Sequence, residues 1–179
     1  MKTAFIVKVD SFSDVITNSS TDIFACKSEK SIKAIEELLN GIAKAAGEDA
    51  GLTVEEQTIR QFWLRTKDYC ILDMGYDYVF DKEWNVIGFT KRKNYSYNKE
   101  KEVDPELTEE KLFNEWLERY AHIFSNRVWS EKTKNYITLE EATPNTKVIV
   151  ICGNDDNSIP YWLQEFITSK LHALRYHLG

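Results

Sequence analysis

Glycine and proline are scarce in this chain, 7 and 3 among 179 residues, which excludes collagen-like repeats, low-complexity sequence and a flexible linker joining separate domains. Cysteine is scarce as well. Cys26, Cys70 and Cys152 are odd in number and widely spaced, with no Cys-x-x-Cys. They therefore read as small buried hydrophobes of a reducing compartment, not as a disulfide framework or zinc ligands. No apolar run approaches the ~20 residues of a membrane span. The N-terminus has no apolar h-region before Lys8 interrupts it, so no signal peptide is read. His-Glu-x-x-His and Gly-x-Gly-x-x-Gly are both missing. His172 and His177 would lie about 140° apart on a helix and make a poor metal site. The net charge of −6 counts against a general nucleic-acid or anionic-membrane binder.

What is present is globular: 42% hydrophobic and 13% aromatic residues. A chain of this length fits one domain over 1–179 and buries roughly 70% of its unfolded surface. Strands are predicted over 3–9 and 22–26, then a helix over 28–46, with Ile32, Ile35, Leu38, Leu39, Ile42 and Ala46 on one stripe and Gly47 as its stop. Thr53 with Glu56 fits a capping box opening a second helix along Ile59, Phe62 and Trp63. Cys70–Met74, Tyr76–Phe80 and Trp84–Thr90 are strand-like, with Asn85 suited to a left-handed turn position. Residues 91–106 read as a flexible charged loop, and Asp104-Pro105 starts a third helix along Phe113, Trp116, Leu117, Tyr120 and Phe124. A loop around 129–146 leads to Val148–Cys152, a continuous apolar run suited to a strand buried on both faces near the sheet centre. From Ile159 to Leu178 the apolar spacing is helical, about 30 Å of helix. The expected fold is α+β, or α/β, with a mixed sheet of about five to six strands covered by about four helices.

Three segments carry candidate chemistry. The first is Asn18-Ser19-Ser20-Thr21, between the apolar runs Ala4–Val9 and Ile23–Cys26. Small polar residues in a row form either a turn that satisfies its own backbone or a ring of hydroxyl and amide groups for an anion. Ser19 or Ser20 as a nucleophile would need a base, and His122, His172 and His177 all fall on predicted helices. The run Ile16-Thr17-Asn18-Ser19-Ser20-Thr21-Asp22-Ile23-Phe24 resembles an opening that recurs near the N-termini of uncharacterised phage and prophage proteins. The resemblance implies a phage-type origin, and with it the host cytoplasm or the virion, and it assigns no activity.

The second segment is Val148–Pro160, where a buried strand ends in Gly153-Asn154-Asp155-Asp156-Asn157-Ser158 before a helix. Ligands commonly bind beyond strand ends of this kind, and carboxylates such as Asp155 and Asp156 suit Mg²⁺. The segment is similar to the last acidic motif of haloacid-dehalogenase-like phosphatases, although Asn154 and Ser158 stand where that pattern has acids. That resemblance implies Mg²⁺ and an Asp10 nucleophile, but Asp10 and Asp14 are four apart where the family has Asp-x-Asp. The same residues also serve as helix caps.

The third segment is Lys91-Arg92-Lys93-Asn94-Tyr95-Ser96-Tyr97-Asn98-Lys99-Glu100-Lys101. Basic residues interleaved with tyrosine suit a nucleic-acid backbone, a solvated hairpin end, or a charged surface for docking a protein. Seven acids among residues 102–118 follow it and offer local pairing partners. Trp129 stands outside every periodic stripe and is the aromatic singled out to face a partner.

Two functions follow. One is a non-catalytic phage or prophage accessory protein that binds a protein, without nucleic acid, membrane or cofactor, and with self-association open. The alternative is a domain that binds or sequesters a phosphorylated ligand or nucleotide, or a Mg²⁺-dependent phosphatase-like enzyme, built on Asp10, Asn18, Ser19, Ser20, Thr21, Asp155 and Asp156. The alternative asks the first strand and the 148–152 strand to be adjacent and parallel, so that Asp10, Ser19 and Asp155 meet at their carboxyl ends.

Overall fold

A computed structural model of the chain describes residues 3–5, 21–28, 31–47, 52–92, 101–152 and 159–178. The architecture is α+β. Its centre is β8 (Lys147–Cys152), in which every residue from Val148 to Cys152 is 0% exposed. A strand buried on both faces reads as a continuous apolar run, and this one does. Along one side runs β3 (Thr53–Thr58), from Thr53 opposite Cys152 to Thr58 opposite Lys147. Along the other runs β2 (Thr21–Ser28), with Ile23 opposite Cys152 and Cys26 opposite Ile149. β1 (Thr3–Phe5) sets Phe5 opposite both Cys26 and Ile149. β9 (Leu174–Leu178) lines β2 and completes a five-stranded sheet whose described pairings are all antiparallel.

Directly opposed residues share a sheet face, which tells the two layers apart. Ile23, Ala25, Val150 and Tyr176 lie on one face. It is covered by α2 (Ile59–Asp73) and α3 (Glu109–Phe124). The Phe62 ring sits 6.3 Å from Tyr176, and the Trp116 indole donates to the Tyr176 hydroxyl at 2.8 Å. On the other face Phe24, Ile149 and Ile151 are buried. α1 (Ile32–Ala45) is tied to the start of β3, since the Asn40 amide donates to the Leu52 carbonyl at 3.2 Å and accepts from its N–H at 3.1 Å. α4 (Tyr161–Lys170) buries Leu163 and Ile167. Two separate hairpins complete the structure: β4 (Tyr76–Phe80) with β5 (Val86–Lys91), and β6 (Asn126–Ser130) with β7 (Asn135–Glu140).

Several expectations are corrected. Thr53–Thr58 is strand, and the capping box lies one motif later, where Thr58 caps α2 through reciprocal bonds with Gln61. Both Thr-x-x-Glu and Thr-x-x-Gln match a capping box, and the first belongs to a sequence that pairs along β8. Cys70–Met74 is not a strand; Cys70 and Ile71 continue the α2 stripe of Phe62, Trp63 and Thr66. Among 84–85 the left-handed residue is Trp84 (φ 66°), not Asn85. α3 begins at Glu109 with Thr108 as cap, while Asp104 closes a turn before it. The 129–146 loop contains β7 and the end of β6. The C-terminal helix stops at Lys170, His172 turns the chain at φ 51°, and β9 follows. His172 and His177 are therefore not helical residues, and no long C-terminal stripe offers itself to a partner helix.

Candidate functional site

Asp10, Asn18, Ser19, Ser20, Lys93, Tyr95, Tyr97, Asp155 and Asp156 lie outside the described residues. β1 touches β8 through one pair, Phe5 opposite Ile149, and both strands run antiparallel to β2; no described residue brings Asp10, Ser19 and Asp155 together. Another pairing gives two of those segments a common boundary. With Ile23 opposite Cys152, the chain enters β2 and leaves β8 at the same end of the sheet. Thr21 is the first residue of β2, opposite Leu178. Beside it Asp22, only 3% exposed, accepts from Arg175 Nε at 2.9 Å and lies 3.1 Å from His177 Nδ1. A buried carboxylate costs stability unless it is paired. The two β9 side chains supply that pairing, and so fix the edge strand to β2.

Two cations of the basic segment are paired locally. Lys91 ends β5, and the Arg92 N–H donates to the Gly75 carbonyl at 2.8 Å. The Arg92 and Lys101 side chains both reach Asp77, at 3.3 and 3.2 Å. The carboxylate that serves both is Asp77 of β4, not an acid of the 102–118 block that follows the segment.

Among the described residues, the largest concentration of exposed apolar side chains on a regular element is β6–β7. Its strands are rich in β-branched and aromatic residues, and the Glu131–Lys134 connection turns with Lys134 at φ 50°. The Ser130 hydroxyl accepts from the Thr133 N–H at 3.3 Å, and the Trp129 indole donates to Glu131 at 2.9 Å. On one face Trp129 and Tyr136 are direct cross-strand partners, with ring centroids 5.3 Å apart and planes at 75°. The Arg127 guanidinium lies 5.3 Å from the Tyr136 ring centroid. On the other face stand Val128, Ile137 and Leu139, all exposed. Trp129 is 48% and Tyr136 55% exposed. At the foot of the hairpin the Ser125 hydroxyl donates to the Ala121 carbonyl at 2.6 Å and accepts from Ala142 at 3.0 Å, which fastens both strands to the end of α3.

A second exposed aromatic stands at the β4–β5 tip. Asp81 accepts from the Glu83 and Asn85 N–H groups at 2.9 and 2.8 Å, and from the Asn85 amide at 3.0 Å. These bonds, that of the Asn85 side chain first, hold the Asp81 carboxyl below its usual range. The same turn presents Trp84, 82% exposed and left-handed, 6.1 Å from the Phe80 ring. An exposed tryptophan in that backbone region is strained. Trp84, Tyr136, Ile137 and Leu139 were not singled out from the sequence. The alternation of Tyr136 and Thr138 with Ile137 and Leu139 was the readable signal.

All three cysteines are buried. Burial pushes Cys70 up to about 12 and raises Cys26 as well, and only thiolates are nucleophilic. Among the described residues, no group of three His, Cys, Asp or Glu could hold a metal ion, and no helix is long and apolar enough to cross a membrane. No protein-family model matches the chain, and neither a curated protein nor a solved structure matches it.

Proposed function

We propose that this chain is a non-catalytic phage or prophage accessory protein that acts by binding another protein, either within a virion or its assembly or on a host factor. The phage origin rests on the Ile16–Phe24 motif. The binding role rests on one observation, the β6–β7 hairpin with Trp129 and Tyr136 on one face and Val128, Ile137 and Leu139 on the other, all exposed. A two-stranded hairpin alone is marginal in water, and Trp, Tyr and Arg are the residues that dominate interface energetics. The arm is anchored at its foot through Ser125, so little ordering would remain to be done on docking.

The test is affinity capture from phage-infected cells with the wild-type chain and with Trp129→Ala/Tyr136→Ala. A protein held by the first and lost from the second supports the reading. Equal retention by both, or by neither, counts against it.

A second reading keeps the phosphorylated-ligand site, because the start of β2 and the finish of β8 share one sheet end and so bound the 18–20 and 153–158 segments. Its test is a thermal-shift screen with Mg²⁺, Mn²⁺ and nucleotides on wild type, Ser19→Ala and Asp155→Ala. A ligand at 100 times its Kd adds about 2.7 kcal/mol. A shift abolished by both substitutions supports this reading; no shift with any compound removes it.

A further inference from the structure

The β6–β7 arm differs in charge from the body that carries it. The chain has a net charge of −6, yet residues 126–140 hold the cations Arg127, Lys132 and Lys134 against the acids Glu131 and Glu140. Both acids are engaged. Glu131 accepts from the Trp129 indole and pairs with Lys134, and Glu140 has an interaction of its own. Among the described residues, neither Arg127 nor Lys132 forms an ion pair. The uncompensated charge of the arm is therefore positive.

Arg127 is positioned without being neutralised. Its exposed guanidinium lies 5.3 Å from the Tyr136 ring centroid, and a cation held over a ring keeps its charge and its N–H donors. Trp129, directly opposite Tyr136, is the next β6 side chain on the same face. One face thus carries an oriented guanidinium fork beside two half-exposed rings.

We propose that this face docks a protein segment with an Asp or Glu side chain two residues from an apolar one. Arg127 takes the carboxylate, and the Trp129–Tyr136 rings take the apolar group. The proposal rests on the binding role above and names the partner's chemistry. Arg127 and Trp129 are two residues apart on one strand face, about 7 Å, so an extended segment with the same two-residue step meets both. A guanidinium offers a carboxylate two parallel hydrogen bonds, which an ammonium does not. Single-stranded nucleic acid also stacks on aromatic rings, but its affinity depends on neutralising several phosphates. Two unpaired cations on an acidic body suit one carboxylate better.

Selection from a displayed library of random linear peptides tests the proposal. The targets are wild type, Arg127→Glu, Arg127→Lys and Trp129→Ala/Tyr136→Ala, each checked for folding by urea unfolding. Wild type is expected to enrich Asp or Glu two positions from an aromatic or aliphatic residue. Arg127→Glu should enrich Lys or Arg there instead, and the Trp129→Ala/Tyr136→Ala variant should enrich neither. A synthetic copy of the best wild-type peptide should bind Arg127→Glu roughly tenfold more weakly, with Arg127→Lys between the two. Enrichment without an acidic residue, or the same peptides on wild type and Arg127→Glu, overturns the proposal. If those peptides still need Trp129 and Tyr136, the binding role itself stands. Peptides that bind Trp129→Ala/Tyr136→Ala as well as wild type count against both. No enrichment on wild type also overturns the proposal, as does Arg127-dependent binding of a single-stranded oligothymidylate with no acidic peptide selected.

Discussion

Trp129 and Tyr136 face each other across the β6–β7 hairpin with ring planes at 75° and centroids 5.3 Å apart, while about half of each side chain remains in water. An edge-to-face pair is worth about 0.5–1.5 kcal/mol beyond burial, and these rings cover no core. Trp129→Ala is therefore expected to cost no more than about 1.5 kcal/mol of stability while abolishing partner capture. Urea unfolding beside the capture assay checks both halves. A loss of several kcal/mol would make Trp129 a structural residue.

Trp84 predicts the opposite balance. Its left-handed backbone (φ 66°) is strained for any residue with a Cβ, and glycine relieves that strain. Trp84→Gly is expected to leave stability unchanged or raise it by up to about 1 kcal/mol, judged by the urea midpoint. A clear destabilisation would mean that the Phe80 contact outweighs the strain.

The β5 strand is covered by the segment that follows the basic stretch. A Cβ added at Gly88 would lie 2.5 Å from Val103 Cγ1, and the Asp104 N–H donates to the Phe89 carbonyl at 2.9 Å. Gly88→Ala is expected to cost about 1–3 kcal/mol through overpacking. Adding Val103→Ala should recover most of that loss, which a double-mutant cycle measures. Strictly additive effects would contradict the contact.

Alkaline pH provides a stability test. The Tyr76 phenol is pushed up to about 12, first by its hydrogen bond to Glu115, and Cys70 reaches about 12 through burial. Tyr78, Tyr120 and Tyr176 are raised too, burial being the first cause in each. A folded pKa above the unfolded value contributes stability that is complete below the unfolded pKa, about 10 for tyrosine and 8.5 for cysteine, and is lost as pH rises through the folded pKa. For Tyr76 the fall should run from about pH 10 to about 12, with the Cys70 contribution declining from about 8.5 upward. Denaturation curves across that range check it, and a curve flat to pH 12 would contradict the burial and hydrogen bonding of these groups.

Where burial is one-sided or complete, the sequence was legible. Val148–Cys152 declared a central strand because both its faces are covered, and the α3 stripe matched the face that helix buries; in the α1 stripe Ile35 and Leu39 are buried, but Leu38 is exposed, Ala46 is the exposed C-cap, and Ala43 is buried instead. The C-terminus misled because two periods coincide. Leu171, Leu174 and Leu178 continue a helical stripe, while Leu174, Tyr176 and Leu178 alternate as a strand; His172 at φ 51° decides between them with no glycine to announce it. The β6–β7 hairpin was hidden for the reason that makes it interesting. With both faces in water it has no in–out hydrophobic pattern, and its Glu131-Lys132-Thr133-Lys134 turn lacks Gly, Asn and Pro. Its signals were Trp129, outside every stripe, and the β-branched and aromatic run Tyr136–Leu139.

The most direct test of a binding role is amide hydrogen exchange on the protein alone and in complex with the partner it captures. The hairpin account predicts new protection concentrated at 126–140, absent when Trp129→Ala/Tyr136→Ala replaces the wild type. Protection elsewhere, with 126–140 exchanging as fast in the complex as in the protein alone, would contradict it.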